Sequence, residues 1–268
     1  MKKITILFVA FISIMAASCK SNSDNDGNPV ITVNNAEEFI KALGNDRTII
    51  LNNNEGIYWL TEAIDKLCET SDQLLYGWNL MEGKSDISAN RAFDGSELSL
   101  FKIQNLIIRG ADEGEYTKIY VSPRHADVLV FNYCTNITLE NLQLGHYPEK
   151  GTCTGDVLSF SDCDGITISN CDLFGCGAIG IEAVLSKNFK INNSIIRDCS
   201  ENDLWLKECE NFHFYNSKIK SKKYIFCSNS RGISFEKCTL PTSFDESITF
   251  INCEFFEWPG FAYPDSGY

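Results

Sequence analysis

A phrase of eight residues recurs through the second half of the chain and constrains the fold more than any other feature. Its seven copies begin at Leu106, Ile137, Ile166, Phe189, Phe212, Ile233 and Ile248. They share apolar residues at positions one, three and eight almost throughout, and five carry Asn at position five: Asn141, Asn170, Asn193, Asn216 and Asn252. Alternation of apolar and polar residues with a period of two predicts one strand per copy, with one buried face.

The spacing of the copies excludes a strand–helix–strand architecture. Successive copies start 31, 29, 23, 23, 21 and 15 residues apart. The later steps, near 22 residues, are too short for a helical crossover with its loops, which needs about 30 residues or more. A step of about 22 residues fits one coil of a solenoid. Asn tolerates the left-handed backbone conformation better than most other residues with a side chain. We therefore expect the five asparagines to stack at one corner of successive coils.

From about Leu106 to Phe255 the chain resembles the right-handed parallel β-helix proteins of the pectate-lyase-like superfamily. Their coils have three strands, with an Asn-containing turn between the second and the third. The stretches "PRHADVLVFNYCTNITLENLQLGH", "GTCTGDVLSF" and "CDLFGCGAIGI" are similar to a bacterial β-helix family of unassigned function. The resemblance implies an all-β fold, a single-stranded right-handed parallel β-helix (solenoid) over residues 31–268. It carries no catalytic motif, because the acidic and "GHG" motifs of polygalacturonases and the Arg-centred motif of lyases have no match.

A short amphipathic helix is predicted before the first strand. Apolar residues recur at helical spacing from Ala36 to Leu43, and Gly44 supplies a stop. Asn35 and Glu38 have the spacing of a capping box. In the β-helix resemblance this segment is the N-terminal capping helix. Between residues 61 and 100 we predict a short helix in "TEAIDKLCE" and then a long loop.

The first residues have the pattern of an export signal. Two lysines precede an apolar segment of twelve residues, too short to span a bilayer. Small residues then lead to Cys19, which resembles a bacterial lipoprotein signal, although Ala16 stands where Leu is commonest. We expect residues 1–18 to be removed, Cys19 to be lipidated, and residues 19–30 to tether the protein to the cell envelope, at the outer membrane and exposed at the surface. The alternative is an ordinary cleaved signal with a chance Cys.

Composition and charge exclude some classes of function. Apolar residues make up 44% of the chain, which indicates a globular protein. The formal charge of −13 argues against a nucleic-acid partner, because that partner needs a basic stripe. We expect no cofactor and no metal, and the sequence indicates no calcium site.

The cysteines follow the repeat. Cys134, Cys163 and Cys209 each stand three residues before a phrase, whereas Cys171, Cys238 and Cys253 occupy its sixth position. Recurrence at the same place in several coils indicates small side chains that stack in the core. We expect mostly free, structural cysteines. Disulfides with one free thiol are the alternative for an exported chain with an odd number left after Cys19.

A further strand precedes the phrase in five coils: "DVLVF", "DVLSF", "GIEAV", "DLWLK" and "YIFCS". The outward residues of these strands should form three columns across the coils. The columns read Val130, Ser159, Glu182, Trp205, Phe226; Val128, Val157, Gly180, Asp203, Tyr224; and Asn132, Ser161, Val184, Lys207, Ser228. Aromatic rings beside carboxylates on a flat face suit a sugar, whose apolar face stacks while its hydroxyls form hydrogen bonds. We predict carbohydrate binding on this face.

The predicted site has two sets of residues. Trp205, Tyr224 and Phe226 would bind substrate on the face, and Arg124, His125 and Tyr147 would bind it from the loops above. The predicted catalytic residues are Glu182, Asp203, His146 and Lys207. Glu182 and Asp203 would act as acid and base across about 8 Å. Lys207 would keep one carboxylate ionised, and His146 is the alternative group for proton transfer.

Plainer interpretations remain open for each residue. A loop or a partner chain could cover the aromatic residues, Glu182 and Lys207 could form a surface ion pair, and both histidines could be ordinary loop residues. The basic stretch from Lys218 to Tyr224 is most simply solvated surface. Two functions therefore stay open: a glycoside hydrolase or polysaccharide lyase, or a non-catalytic surface module that binds glycan or a protein partner.

Overall fold

The structure, a computed structural model, describes residues 22–23, 27–52, 56–69, 78–81, 84–111, 114–148, 154–175, 178–220, 224–242 and 248–256. Its strands form three sheets, and in the repeat the chain passes from the first sheet to the second and the third before it returns to the first. Neighbouring coils pair in parallel. This is the parallel β-helix with three strands per coil that the sequence predicts.

The bounds of the elements follow the repeat. The first sheet contains β5 (Trp78–Met81), β6 (Lys84–Arg91), β7 (Ser96–Phe101), β10 (Leu129–Asn132), β13 (Leu158–Ser161), β16 (Ile179–Val184), β19 (Asn202–Lys207) and β22 (Tyr224–Ser228). The second contains β1 (Asn22–Ser23), β2 (Pro29–Val33), β3 (Arg47–Leu51), β8 (Gln104–Gly110), β11 (Thr135–Glu140), β14 (Asp164–Ser169), β17 (Lys187–Asn192), β20 (Glu210–Tyr215), β23 (Arg231–Glu236) and β25 (Thr249–Ile251). The third contains β4 (Ile57–Trp59), β9 (Thr117–Val121), β12 (Leu142–His146), β15 (Asp172–Phe174), β18 (Ile195–Arg197), β21 (Lys218–Ile219), β24 (Thr239–Pro241) and β26 (Glu254–Phe256).

Two helices, α1 (Ala36–Ala42) and α2 (Leu60–Glu69), pack against the first coils. Asn35 caps α1, because its Oδ1 accepts a 2.9 Å hydrogen bond from the backbone N–H of Glu38. Phe39 and Ile40 of this helix are fully buried in the common core. The predicted capping helix and the predicted short helix after residue 60 are both confirmed.

The long loop predicted after α2 is wrong. Strands β5 and β6 form an antiparallel hairpin that extends the first sheet beyond β7. Ile87 and Ala89 of β6 are buried in the core, whereas Ser88 between them and Asn90 after them are polar. Only two inward apolar residues mark this strand, which is why its pattern is weak in the sequence.

The asparagine corner lies between the second and third sheets, as predicted. All five repeated asparagines have φ between 47° and 59°. Asn170 Nδ2 donates a 2.7 Å hydrogen bond to Asn141 Oδ1, and Asn216 makes the same bond to Asn193. The ladder joins neighbouring coils through side chains as well as backbone.

A second set of left-handed residues, which was not predicted, occupies the second position of the second-sheet strands. Asn105, Asn136, Asn188 and Asn211 have φ between 54° and 60°, and Gly165 and Gly232 replace Asn in two coils with φ of 74° and 69°. Asn136 Nδ2 donates to Asn105 Oδ1 at 3.0 Å, and Asn211 donates to Asn188 at 3.1 Å. These residues stand directly before the eight-residue phrases, and because Gly replaces Asn in two coils their recurrence is weaker in the sequence than that of the Asn at position five.

Stacked side chains fill the interior. The rings of Phe131, Phe160, Phe189 and Phe212 follow one another at centroid distances of 5.0, 5.1 and 4.1 Å. All nine described cysteines are free. The thiol of Cys163 donates to the carbonyl of Phe131, in the preceding coil, at 3.3 Å.

The N-terminal segment is only partly described. Residues 1–18 and Cys19, with the predicted signal and lipidation site, lie outside the described residues. Strand β2 begins at Pro29, inside the predicted tether, and pairs in parallel with β3. No helix in the described ranges is long and apolar enough to cross a membrane.

Candidate functional site

The outward face of the first sheet carries two of the three predicted columns. Parallel pairing aligns Val130 with Ser159, Ser159 with Glu182, Glu182 with Trp205, and Trp205 with Phe226. The column of Lys207 is confirmed in the same way, from Asn132 to Ser228. Strand alternation therefore places Glu182 and the two aromatic rings together on this face.

The third column is wrong, and with it the predicted acid–base pair of Glu182 and Asp203. Asp203 is fully buried. The register shifts at this point, so that Tyr224 pairs with Asn202 and the next pair is Leu204 with Ile225. Asp203 is thus the extra residue of a bulge. The predicted columns assumed strict alternation of inward and outward residues, and a bulge interrupts that alternation.

An aromatic pair stands beside Glu182. The ring centroids of Trp205 and Phe226 are 4.5 Å apart, with their planes inclined by 40°. Both rings are half-buried, and Tyr224, at the start of the next strand, is 38% exposed. The three predicted aromatic residues therefore share one edge of the first sheet and leave part of their surface open.

Two further carboxyl groups, those of Asp127 and Asp156, stand two residues before β10 and β13. Asp127 accepts a 2.6 Å hydrogen bond from the backbone N–H of Asp156, and Asp156 accepts one of 3.0 Å from the backbone N–H of Ile179. Glu97 in turn accepts from the backbone N–H of Asp127 at 3.1 Å. With Glu182, these residues form the acidic cluster: Glu97, Asp127, Asp156 and Glu182.

The environment of the acidic cluster favours protonated carboxyl groups. Burial raises the pKa of Asp127 to about 7, and the charges of Glu97 and Glu182 contribute in the same direction. Burial also raises the pKa of Asp156 to about 9, with further contributions from the charges of Asp127 and Glu182. Like charges in a poorly solvated place disfavour ionisation. At neutral pH the cluster holds a proton on Asp156, and Asp127 titrates near pH 7.

The hydroxyl of Ser159 joins two members of the acidic cluster. Its Oγ lies 3.4 Å from Oε2 of Glu182 and also hydrogen-bonds to the carboxylate of Asp127. The charge of Glu182 also contributes to the raised pKa of Asp127, as expected for two neighbouring carboxyl groups. Asp127 and Glu182 therefore converge on one point of the face.

Asp127 and Asp156 are absent from the predicted site. Each is the first letter of a repeated strand phrase, "DVLVF" and "DVLSF", at the same place in adjacent coils. A recurring Asp at the start of a strand is easily interpreted as a turn residue. The repetition of Asp at this position in two neighbouring coils is the sequence feature that predicts a contact between the two residues.

His146 belongs to a strand and is not a loop residue. It ends β12 and is 1% exposed. Its Nε2 lies 2.8 Å from the carbonyl oxygen of Ala126, directly before Asp127. Burial lowers the pKa of His146, and the charge of Arg124 lowers it further. His146 therefore supports the chain at Asp127 and does not reach the open face as a proton donor.

The loop before β10 places the other two predicted basic residues near Asp94. Nδ1 of His125 lies 3.1 Å from Oδ2 of Asp94, and the same carboxylate accepts from the backbone N–H groups of Arg124 and His125. Burial of Asp94 opposes ionisation, but these hydrogen bonds outweigh it and lower its pKa. Arg124 and His125 thus lie in the predicted loop, where Asp94 determines their position.

Tyr147 lies on another face. Its ring packs edge-on against Trp59 at 5.2 Å and parallel to Tyr120 at 6.3 Å, both on the third sheet. The prediction that Tyr147 lies over the first sheet is wrong, because directly after β12 its ring packs against Trp59 and Tyr120 of the third sheet. Lys207 also differs from its expected role, since in the described ranges it forms no ion pair with Glu182 and aligns with Val184.

Within the described part of the chain, no group of three or more His, Cys, Asp or Glu residues is arranged to hold a metal ion. The acidic cluster spreads along the strand starts, and several of its oxygens accept backbone N–H groups.

Comparisons with known proteins identify the fold of the chain. The family model described as "Right handed beta helix region" matches residues 92–263. No curated protein matches the chain. Escherichia coli ybhc is 11% identical with a TM-score of 0.45, over 82% of this chain and 79% of its own. The Aspergillus niger pectin methylesterase is 10% identical with a TM-score of 0.40, over 90% and 87%. ORF18 of Geobacillus virus E2 is 9% identical with a TM-score of 0.45, and the match spans 82% of this chain and 48% of that one. At these identities and TM-scores nothing further rests on the three likenesses.

Proposed function

Because the chain belongs to the right-handed β-helix family, whose fold alone assigns no activity, we propose a function from the site itself. The protein binds a polysaccharide on the outward face of the first sheet and hydrolyses a glycosidic bond there. The observation that carries this proposal is the hydroxyl of Ser159, which joins the carboxyl groups of Asp127 and Glu182 beside the aromatic pair.

Asp127 and Glu182 would divide the chemistry. Asp127, whose pKa is raised to about 7, donates the proton to the leaving oxygen, since a general acid works best when its pKa is near the working pH. Glu182 is the second carboxyl group, which attacks the sugar or activates water. In glycosidases the two carboxyl groups are roughly 5–5.5 Å apart when the enzyme retains the anomeric configuration and roughly 6.5–9.5 Å apart when it inverts it.

Trp205 and Phe226 would hold the neighbouring sugar. Their partly open rings lie in the coils that follow Glu182. A pyranose can place its apolar face on such rings while its hydroxyls meet polar groups at the edge. The bond to be cleaved would then lie over Glu182.

Turnover of a polysaccharide panel tests the proposal. Wild-type protein should release new reducing ends from one polymer, and Asp127→Asn and Glu182→Gln should each lower the rate by about 100-fold or more. The matched controls are Asp164→Asn and Glu140→Gln, which change half-exposed acids of the second sheet. NMR of the first product then assigns retention or inversion. Equal activity of the two site variants and the controls would reject the catalytic roles.

A non-catalytic module for glycan or a protein partner is the second candidate. It is favoured by the backbone hydrogen bonds of Asp127 and Asp156, which give both residues a structural task without any reaction. In this case Trp205→Ala should abolish glycan capture, and wild-type protein should show no turnover on the panel.

We further propose export and lipidation at Cys19, on the pattern of the N-terminal sequence. A lipid anchor would hold the β-helix at the bacterial cell envelope. Metabolic labelling with a palmitate analogue should mark wild-type protein and spare Cys19→Ala, and equal labelling of both would reject this proposal.

A further inference from the structure

A cleft of about 210 Å³ opens where the two helices meet strand β4, away from the first sheet. Its lining includes Asn35, Glu37, Ile57, Trp59, Glu62 and Lys66, and we name it the cap cleft. Pockets for drug-sized ligands measure about 300–1,000 Å³. The cap cleft therefore accommodates a single ring-sized group.

Trp59 forms an aromatic wall of the cap cleft. Its ring packs edge-on against Tyr120, at 5.8 Å and 77°, and against Tyr147, at 5.2 Å and 79°. Tyr120 is buried, whereas Tyr147 is 50% exposed. The two tyrosines hold Trp59 in place, and Tyr147 continues the aromatic surface outside the cleft.

The polar groups of the cap cleft suit hydroxyl groups. Asn35 Oδ1 is occupied by the N–H of Glu38, while Asn35 Nδ2 makes no hydrogen bond within the described residues and remains a donor. Glu62 is exposed and supplies acceptors. The ammonium group of Lys66 is bonded to Glu37, so this cation is already neutralised. A neutral ligand with hydroxyl groups fits this set better than an anion does.

We propose that the cap cleft is a second glycan-binding site, in which one neutral sugar ring stacks on Trp59 and the next ring of the chain contacts Tyr147. Aromatic side chains bind the apolar face of a sugar, and Asn35 and Glu62 bond to its hydroxyls. This site goes beyond the proposed function, because it binds glycan without cleaving it and lies on a different sheet from Glu182.

The test uses the full chain with the first-sheet site disabled, as the double variant Glu182→Gln/Trp205→Ala. Binding of four neutral hexasaccharides (cellohexaose, xylohexaose, mannohexaose and maltohexaose) is measured by calorimetry, with hexagalacturonate as the acidic comparison. The double variant should bind at least one neutral hexasaccharide and bind the acidic one more weakly. Adding Trp59→Ala should weaken binding at least about tenfold. Adding Tyr133→Ala, which truncates a different tyrosine of 50% exposure, should leave affinity unchanged.

Glu62→Ala keeps the test decisive if Trp59→Ala does not fold. Glu62 is exposed, so its loss should weaken binding about threefold and leave folding intact. The proposal is overturned if the double variant binds no neutral hexasaccharide, or if neither Trp59→Ala nor Glu62→Ala changes its affinity. Turnover by wild-type protein tests the first-sheet site separately, so failure of one site is distinguishable from failure of the other.

Discussion

The backbone N–H of Asp156 donates a 2.6 Å hydrogen bond to the carboxylate of Asp127, one coil earlier. The same contact holds the start of β13 in place and brings two acidic residues together. Strands of neighbouring coils lie about 4.8 Å apart. Side chains at equivalent positions of two neighbouring coils are therefore close neighbours. The repeat that builds the fold therefore also concentrates carboxyl groups, and their protonation is coupled to stability.

We predict that Asp156→Asn stabilises the protein at pH 8 and leaves stability unchanged near pH 3.5. In the unfolded chain Asp ionises at about pH 3.9, whereas burial raises the pKa of Asp156 in the folded protein to about 9. Between these values only the unfolded chain loses the proton, so rising pH favours unfolding by up to about 1.4 kcal/mol per pH unit. Asn removes this titration, and its Oδ1 can still accept from Ile179.

Urea unfolding from pH 3.5 to pH 9 measures this effect. The slope of unfolding free energy against pH should be shallower for Asp156→Asn than for wild-type protein. Asp164→Asn, on the second sheet, is the control and should retain the wild-type slope. Identical slopes for all three proteins would contradict a buried, protonated Asp156.

A second prediction concerns the coupling within the acidic cluster. The charge of Glu182 contributes to the raised pKa of Asp127, so Glu182→Gln should lower that pKa. Carbon-13 NMR of the Asp carboxyl groups, assigned with Asp127→Asn, would follow the titration. Glu140→Gln should not move it, because Glu140 lies on the second sheet with Arg109. An unchanged Asp127 titration in Glu182→Gln would show that the two groups do not interact.

The regular part of the fold can be predicted well from the sequence. Period-two alternation and the recurring Asn predict the pairs from Val130 to Phe226, because a parallel coil repeats each residue's surroundings one coil later. The bulge at Asp203 breaks this rule. One extra residue in β19 shifts its register against β22, Asp203 is fully buried, and no pattern inside β19 marks the shift.

The site itself was predicted less completely, because its members come from different coils and from before the repeat. Asp127 and Asp156 become acids of interest only when burial and neighbouring charges are known. Tyr147 follows Trp59 and Tyr120, and Trp59 belongs to the segment that precedes the repeat. Contacts of this kind depend on the path that each loop takes, and the composition of the chain and the spacing of its repeats do not predict that path.

The asparagine corner gives a third prediction. Asn193 has φ of 50°, and its Oδ1 accepts a 2.7 Å hydrogen bond from Asn216. Asn193→Leu should lower the free energy of unfolding by more than about 1 kcal/mol, because Leu disfavours this conformation and leaves Asn216 without its acceptor. The matched control is Asn192→Leu, one residue earlier in β17, where no left-handed backbone is required. Equal thermal midpoints for the two variants would count against the corner as a source of stability.

The last prediction concerns His146, which the structure makes a support of the acidic cluster. Its Nε2 lies 2.8 Å from the carbonyl of Ala126, so the ring carries its proton on Nε2 and donates to the residue before Asp127. The ring is buried and its pKa is lowered by that burial, which keeps it neutral at neutral pH. Truncation removes a buried ring and leaves a buried carbonyl without its donor, and each loss is costly.

His146→Ala should therefore lower the free energy of unfolding by about 2–4 kcal/mol, measured by urea unfolding at pH 7. His213→Ala is the control, because His213 is 44% exposed on the second sheet, and it should cost less than about 0.5 kcal/mol. His146→Gln, whose amide can donate to the same carbonyl, should recover part of the loss. If His146→Ala is as stable as His213→Ala, then the hydrogen bond to Ala126 does not hold the chain at Asp127, and the position of that residue depends on its contacts with Glu97, Asp156 and Ser159.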